Sequence, residues 1–299
     1  MATMPKSQPI KKTEFHEYHA DAQLLSGHLQ RPVEREIDEQ AFVSLKGRRD
    51  RHFFQRAERY SADGLISFES GYTRVSGSHA EKHGWVTLAT AVLEGLNVLE
   101  VITADRVVAQ VSTEHPPEDG HVPSVTFLGT RFENLRISGY PVDLEFDLGI
   151  CGDKPAHDRP YSEDSDFLDR MQRQGEGLAS ILILPGQLRV QYDRELKHLA
   201  EVRKRPRIYG EGYKSTLKCS LVKSVGAIPT AQSFGNVLEI PGFGTVTLAK
   251  VEIEQTGNED SDDNVTTYFD LTMLDIKMGS VAEGSVQAVN VGANGKTRP

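Results

Sequence analysis

"NVLEVITADRVVAQVSTEH", Asn97 to His115, decides the fold class. In "LEVIT" and "VVAQVS" apolar residues fall on both parities of a period-two pattern. That marks a strand buried on both faces, or two strands meeting at a corner. Thr103, Ala104 and Asp105 supply a bend, because a small residue and a turn-forming aspartate let the chain pass from one strand to the next. Asp105 has no second carboxylate at a fixed spacing, so it reads as part of the bend and not as a cation ligand or catalyst.

Outward from this stretch the β pattern continues. "GLISFESGYTRVSG", "GWVTLATAVLEGL", "SVTFLGTRFENLRI" and "VDLEFDLGI" are each bounded by Gly, Pro, Asn or Asp, as successive strands should be. "VDLEFDL" alternates Val142, Leu144, Phe146 and Leu148 with Asp143, Glu145 and Asp147, giving one buried and one solvated face. Strands resume with "STLKCSLVKSV", "GNVLEIPGFGTVTLAKVEIEQ", "NVTTYFDLTMLDIKMG" and "GSVQAVNVGANG". Two of them switch parity midway, at Val246 and Leu248 against Val251 and Ile253, and at Phe269, Leu271 and Met273 against Leu274 and Ile276. A switch of that kind is the sequence mark of a β-bulge or a sheet corner.

Between the two β regions, "SEDSDFLDRMQRQ" begins with acids suited to a helix N-terminus. "GQLRVQYDRELKHLAEVRKR" then places Leu188, Tyr192, Leu196 and Leu199 at helical spacing before Pro206. The expected architecture is mostly β, an antiparallel β-sandwich of two related halves with a helical hairpin insertion. Residues 1–60 read as a polar N-terminal arm, 61–150 as the first β half, 151–213 as the loop and helical insertion, and 214–299 as the second β half. A faint echo between "FENLRISGYPV" and "FGNVLEIPGFGTV" fits two related halves.

At 299 residues the chain can bury a core that needs neither metal nor disulfide. A net charge of −9 favours solubility and disfavours attraction to nucleic acid or anionic membrane. The balance is uneven: residues 251–299 hold nine acids and three bases, whereas "KGRRDRHFFQRAER", Lys46 to Arg59, holds six bases and two acids. This basic stretch reads as a linker packing Phe53 and Phe54 on the sandwich, and nucleic acid is not expected as a partner. No apolar run reaches the ~20 residues of a membrane helix, and no secretory signal is visible.

The run "VLEGLNVLEVITADRVVAQVST", followed by "SVTFLGTRFENLRISGYPV", resembles the repeating pattern of the choice-of-anchor P family of bacterial β-rich proteins, over Val92 to Val142. The resemblance implies an exported β-sandwich without catalytic residues to carry over. The chain departs from that family in lacking a visible signal peptide and a C-terminal anchor, and its location is left open.

No cofactor is expected. "HEYH" (His16–His19) and "HAEKH" (His79–His83) read as solvated polar segments. "EDSDDN" offers Asp260, Asp262 and Asp263 as a calcium candidate but lacks the glycine and distal glutamate of an EF-hand loop, so an acidic turn is the simpler reading. Cys151 and Cys219 flank the helical insertion and read as two buried thiols, with a disulfide between them as the alternative. No nucleophile, base and acid stand in a recognisable local frame. The leading expectation is a non-enzymatic structural or assembly-forming protein, a homo-oligomer whose arm, through Phe15, Leu24, Leu25 and Leu29, adds a strand to a neighbouring copy. The alternative is a carbohydrate- or surface-ligand-binding module, with Tyr72, Trp85 and Tyr140 as loop candidates and a glycan as ligand.

Overall fold

A computed structural model describes residues 15–116, 122–156, 159–204, 213–257, 266–279 and 282–298. The chain opens with β1 (Phe15–Arg31), β2 (Arg35–Gln40) and β3 (Val43–Gly47). It continues through a meander of long strands, β4 (Arg51–Ala62), β5 (Ile66–Ala80), β6 (Gly84–Val98) and β7 (Ile102–His115). Short strands follow: β8 (Ser124–Thr126), β9 (Arg131–Glu133), β10 (Arg136–Ile137), β11 (Tyr140–Pro141) and β12 (Leu144–Phe146). Helices α1 (Ser165–Ala179) and α2 (Gly186–Lys204) form the hairpin. Then come β13 (Tyr213–Ser220), β14 (Val222–Val225), β15 (Gln232–Phe234), β16 (Val237–Ile240), β17 (Gly244–Gly257), β18 (Thr266–Gly279) and β19 (Glu283–Arg298).

The fold is a mostly β, antiparallel sandwich with the helical hairpin inserted in it. Nine strands make the larger sheet, in the order β15-β16-β17-β18-β19-β1-β2, with β13 also on β17 and β3 also on β1. Eight make the second, in the order β11-β10-β7-β6-β5-β4, with β8 and β9 also on β7. β1, β18 and β19 lie across β5, β6 and β7, and the core fills the space between.

The segment expected as a polar arm holds a long strand of the larger sheet, next to its β2 end. β1 pairs with β19 from Phe15↔Arg298 to Arg31↔Glu283, and with β2 and β3 on its other side. Tyr18, Ala20, Ala22 and Leu24 point inward and are buried, while the alternate residues are charged or polar. Average composition hid this stripe, since half of a two-faced strand is polar by construction. Leu24, Leu25 and Leu29, expected as anchors in a neighbouring copy, are fully buried in the chain's own core.

The stretch from Asn97 to His115 is also corrected in detail. The chain reverses at Leu99 and Glu100, both at positive φ (54° and 58°), with the Glu100 amide donating to Asn97 Oδ1 at 2.8 Å. Asp105 instead marks an interruption of pairing inside one continuous strand. Glu94 pairs with Arg106 and Leu96 with Ala104, leaving Gly95 (φ 67°) and Asp105 opposite each other but unpaired in an unchanged register. Val107, Val108 and Ala109 are buried on both parities.

The parity switches in β17 and β18 are one irregularity seen from two sides. Leu248 pairs with Leu274 and Lys250 with Thr272, skipping Ala249 (φ 43°). The same transverse line continues through Val289 of β19 (φ 57°), between Gln23↔Asn290 and Leu25↔Ala288. Positive φ at a β-branched residue is uncommon and persists only where the surroundings hold it. Such aligned interruptions bend the strands locally, which lets each sheet curl over the other.

Close approach of the sheets depends on two glycines of β5. A β-carbon on Gly71 would stand 2.6 Å from Leu24 Cδ1, and one on Gly77 would overlap the Tyr18 ring. Replacing Gly77 with alanine is therefore expected to cost about 1–3 kcal/mol, because the ring and its hydrogen bond to Asp50 (2.8 Å) leave little room to yield. By contrast Gly177, in α1 with nothing near its would-be β-carbon, should gain about 0.5–1 kcal/mol on the same change. Urea unfolding of both variants checks the opposite signs.

Candidate ligand cavity beneath the helical hairpin

The helical hairpin lies on the outer face of the larger sheet and is fastened at defined points. Asp164 caps α1, its side chain accepting from the amides of Asp166 and Phe167 at 2.9 and 3.1 Å. Phe167, Leu168 and Met171 form its buried side, and Phe167 meets the Tyr161 ring edge-on at 5.3 Å. Arg170 donates to the carbonyls of Ile150 and Cys151, both at 2.8 Å. One turn on, Gln174 makes a two-way amide bond with Ser220, 3.0 Å in each direction. α2 packs Leu196 over Gly175 and sends the Tyr192 hydroxyl to the Phe234 carbonyl at 3.4 Å.

Under this roof is a cavity of about 560 Å³. Met171, Leu178, Leu196 and Leu199 line the helical side, and the sheet presents Lys218, Ser220, Asn236, Thr247, Lys250 and Asp275. The floor is polar because strand alternation sends Val246, Leu248, Val251 and Ile253 inward, where all are fully buried, and the intervening residues outward. Its charges are tied together. Lys250 Nζ lies 3.5 Å from both Glu252 and Asp275, and Lys218 Nζ lies 3.2 Å from Glu252.

Burial alone would raise the Glu252 carboxyl, but Lys250 and Lys218 hold it below its ordinary range. Glu195, on the helical side, goes the other way: burial raises it, and the Gln191 amide at 3.1 Å offsets part of the effect. Beside the cavity, Asp270 is pushed up to about 6, chiefly by burial, while Asn290 donates to both of its oxygens at 3.0 and 3.1 Å.

None of the residues singled out from the sequence as ligand candidates lines this cavity, apart from Cys219. Tyr72 lies on the outer face of β5, stacked on Phe54 at 5.7 Å. Trp85 stacks on His16 at 5.2 Å, and Tyr140 is exposed in the hairpin between β10 and β11. The three do not share a surface. Asp260, Asp262 and Asp263 lie outside the described residues. Asp105 accepts a hydrogen bond from Asn134 at 2.6 Å, as a structural residue would.

Cys151 and Cys219 are free, buried thiols rather than a disulfide. The Cys219 thiol beside it, then burial, push the Cys151 thiol well above its ordinary range. The acidic row of "VDLEFDL" is solvated, with Glu145 bridged to Lys223 at 2.5 Å. The cavity had no sequence signal beyond the apolar spacing of α2 and the polar parity of β17. No single stretch holds its residues.

"HEYH" is not a solvated segment. His16 is 4% exposed, and the His115 ring meets it at 4.8 Å and the Tyr18 ring at 4.7 Å. Inward parity in β1 buries it, while His19 points out. Burial, then His115 and His79, lower its pKa from the ordinary 6.5 to about 3.

Residues 16–254, more than half of the chain, match the family described as "Domain of unknown function (DUF8256)", and the chain belongs to that family. Comparison with curated proteins and with solved structures returned no match.

The depressed His16 pKa sets a pH dependence of known sign. Between pH 6.5 and about 3 the unfolded chain binds a proton at His16 that the folded chain refuses, so stability falls as the pH drops through that window. The loss is of order 4 kcal/mol by the lower end. Asp270 acts oppositely between 3.8 and about 6, since its folded form holds the proton more tightly. Comparing the parent with His16→Phe in urea unfolding at several pH values isolates the histidine. The variant should lose less stability between pH 7 and 4 than the parent, and an equal loss would remove His16 as the cause.

Proposed function

We propose that the protein is a non-enzymatic binding module whose helix-roofed cavity takes a small organic ligand with an apolar body and an anionic head. The observation that carries this reading is the cavity itself. Its volume lies within the ~300–1,000 Å³ of small-molecule sites, and it joins an apolar wall to a few fixed polar groups. Arg194, Lys218, Lys250 and Lys277 outnumber Glu195 and Asp275 on its lining, in a chain whose net charge is −9. A local reversal of charge sign of this kind favours an anion. A glycan has less support, because the aromatic candidates Tyr72, Trp85 and Tyr140 are dispersed.

Assembly into homo-oligomers is the second reading. Arm exchange no longer serves as its mechanism, since the apolar anchors of β1 are used within the chain. The unpaired outer edge of β4 is the observation that favours it, as an open strand edge is a template for pairing.

Thermal unfolding in the presence of medium-chain and aromatic carboxylates tests the leading reading. A ligand of the right class raises Tm with a saturable concentration dependence. Leu196→Trp, which fills the cavity from the helical side, should abolish that rise, and Lys277→Gln should weaken binding about five- to ten-fold through loss of a charge-assisted contact. A panel in which no carboxylate shifts Tm, or in which Leu196→Trp leaves the shift intact, would overturn the assignment.

A further inference from the structure

The hairpin of β4 and β5 presents a second surface, remote from the cavity in both residues and chemistry. Sequence alone reads the basic stretch around Phe53 and Phe54 as a linker that packs both rings away. It is instead a twelve-residue strand at the end of the second sheet, with Phe53 39% and Phe54 60% exposed. Its first half, Arg51 to Arg56, is exposed throughout, while Ala57, Tyr60 and Ala62 of the second half pack on the core.

Register decides what its outward face displays. Phe54 pairs with Arg74 and Arg56 with Tyr72, so four outward side chains form a square with two aromatic rings on one diagonal and two guanidinium groups on the other. The rings stack at 5.7 Å with 28° between their planes. Arg56 and Arg74 are exposed; Arg56 reaches Glu58 at 3.0 Å, and Arg74 has no ion pair among the described residues. Tyr72 and Arg74 come from the neighbouring strand, which is why the linear stretch did not reveal the arrangement.

From this juxtaposition we infer that the outer face of the β4–β5 hairpin binds single-stranded nucleic acid, with Phe54 and Tyr72 stacking on bases and the arginines contacting phosphates. Open aromatic faces accept any base, and side chains on neighbouring strands and at i, i+2 stand ~5–7 Å apart, a spacing suited to an extended, unstacked strand. A duplex keeps its base faces internal and offers only its phosphates to a flat sheet, so single strands are preferred. The contact area is small and the chain as a whole is acidic, so binding is weak, strongly salt-dependent and tolerant of sequence.

Fluorescence anisotropy of labelled oligothymidine and oligocytidine with the full chain, at about 50 mM salt, tests the inference. Saturable binding in the micromolar range is expected, weakened at least five-fold by Phe54→Ala and by Tyr72→Ala but retained by Tyr72→Phe. Arg74→Gln should lower the slope of log K against log salt by about 0.7. Unchanged Tm confirms that the exposed-site variants stay folded. The inference fails if anisotropy does not change up to about 100 µM protein, or if duplex or heparin competes as well as the single strand. It also fails if light scattering shows a dimer that Phe54→Ala converts to monomer, which would make the face a contact between copies. Carboxylate binding in the cavity is read by Leu196→Trp, so the two sites succeed or fail separately.

Discussion

The pairing of β1 with β19 is the constraint on which the rest of the molecule depends. It joins the first and last described strands within the larger sheet, from Phe15↔Arg298 to Arg31↔Glu283. Without it β1, β2 and β3 would be detached from the rest of the sheet, and β19 would become its edge. The same strand also sets the distance between the sheets, because Tyr18 and Leu24 occupy space that only Gly77 and Gly71 leave open on β5. Contacts between residues so distant in sequence carry a high loop-closure cost and form only when much of the sandwich is present. The sandwich is thus one cooperative unit.

The helical hairpin depends on a defect in that sheet. At Ala249 the β17–β18 ladder is interrupted without a change of register, and nearby carbonyls take side-chain donors instead. Ser220 Oγ donates to the carbonyls of Leu248 and Ala249 at 3.2 and 3.3 Å, and Asn236 Nδ2 donates to Leu248 at 3.0 Å. Gln174 of α1 then bonds to the Ser220 backbone, so the helix is fastened beside this interruption. A regular strand would leave a flat, evenly paired surface with no such groups to seize. Roof and floor are held at fixed separation by these few polar contacts, with Tyr192 and Leu184 packing against Phe234 at one end.

Local pattern was enough to identify the strand-rich class, the hairpin of helices and the switch of buried parity in β17 and β18, because each follows from periodicity within one segment. Strand β1 was not legible. Its polar half, including Glu17, His19, Asp21 and Gln23, faces outward and dominates the composition, and only a period-two reading of Tyr18, Ala20, Ala22 and Leu24 would have found it. Sites fared worse for a plain reason: strand register brings their members together. Lys218, Lys250 and Asp275 come from three strands, and the Phe54–Tyr72 stack from two. Single aromatic residues chosen for their type, such as Trp85, turned out to fill space beside His16.

Glu252 and Asp270 face each other across β17 and β18, and the comparison explains how the cavity keeps its charge. Both carboxyls lose water on burial, which by itself raises each. Glu252 has two lysines within reach and is held low, whereas Asp270 relies chiefly on an uncharged amide and rises to about 6. Ionisation on this face therefore follows the lysines, and the floor next to Lys218 and Lys250 stays charged at neutral pH. Those two ammonium groups are already engaged, so an incoming anion competes with Glu252 and Asp275 for them. Lys277 has no ion pair among the described residues and lies on the same lining. An anionic head would meet the least competition there, with its apolar body turned toward Leu196 and Leu199.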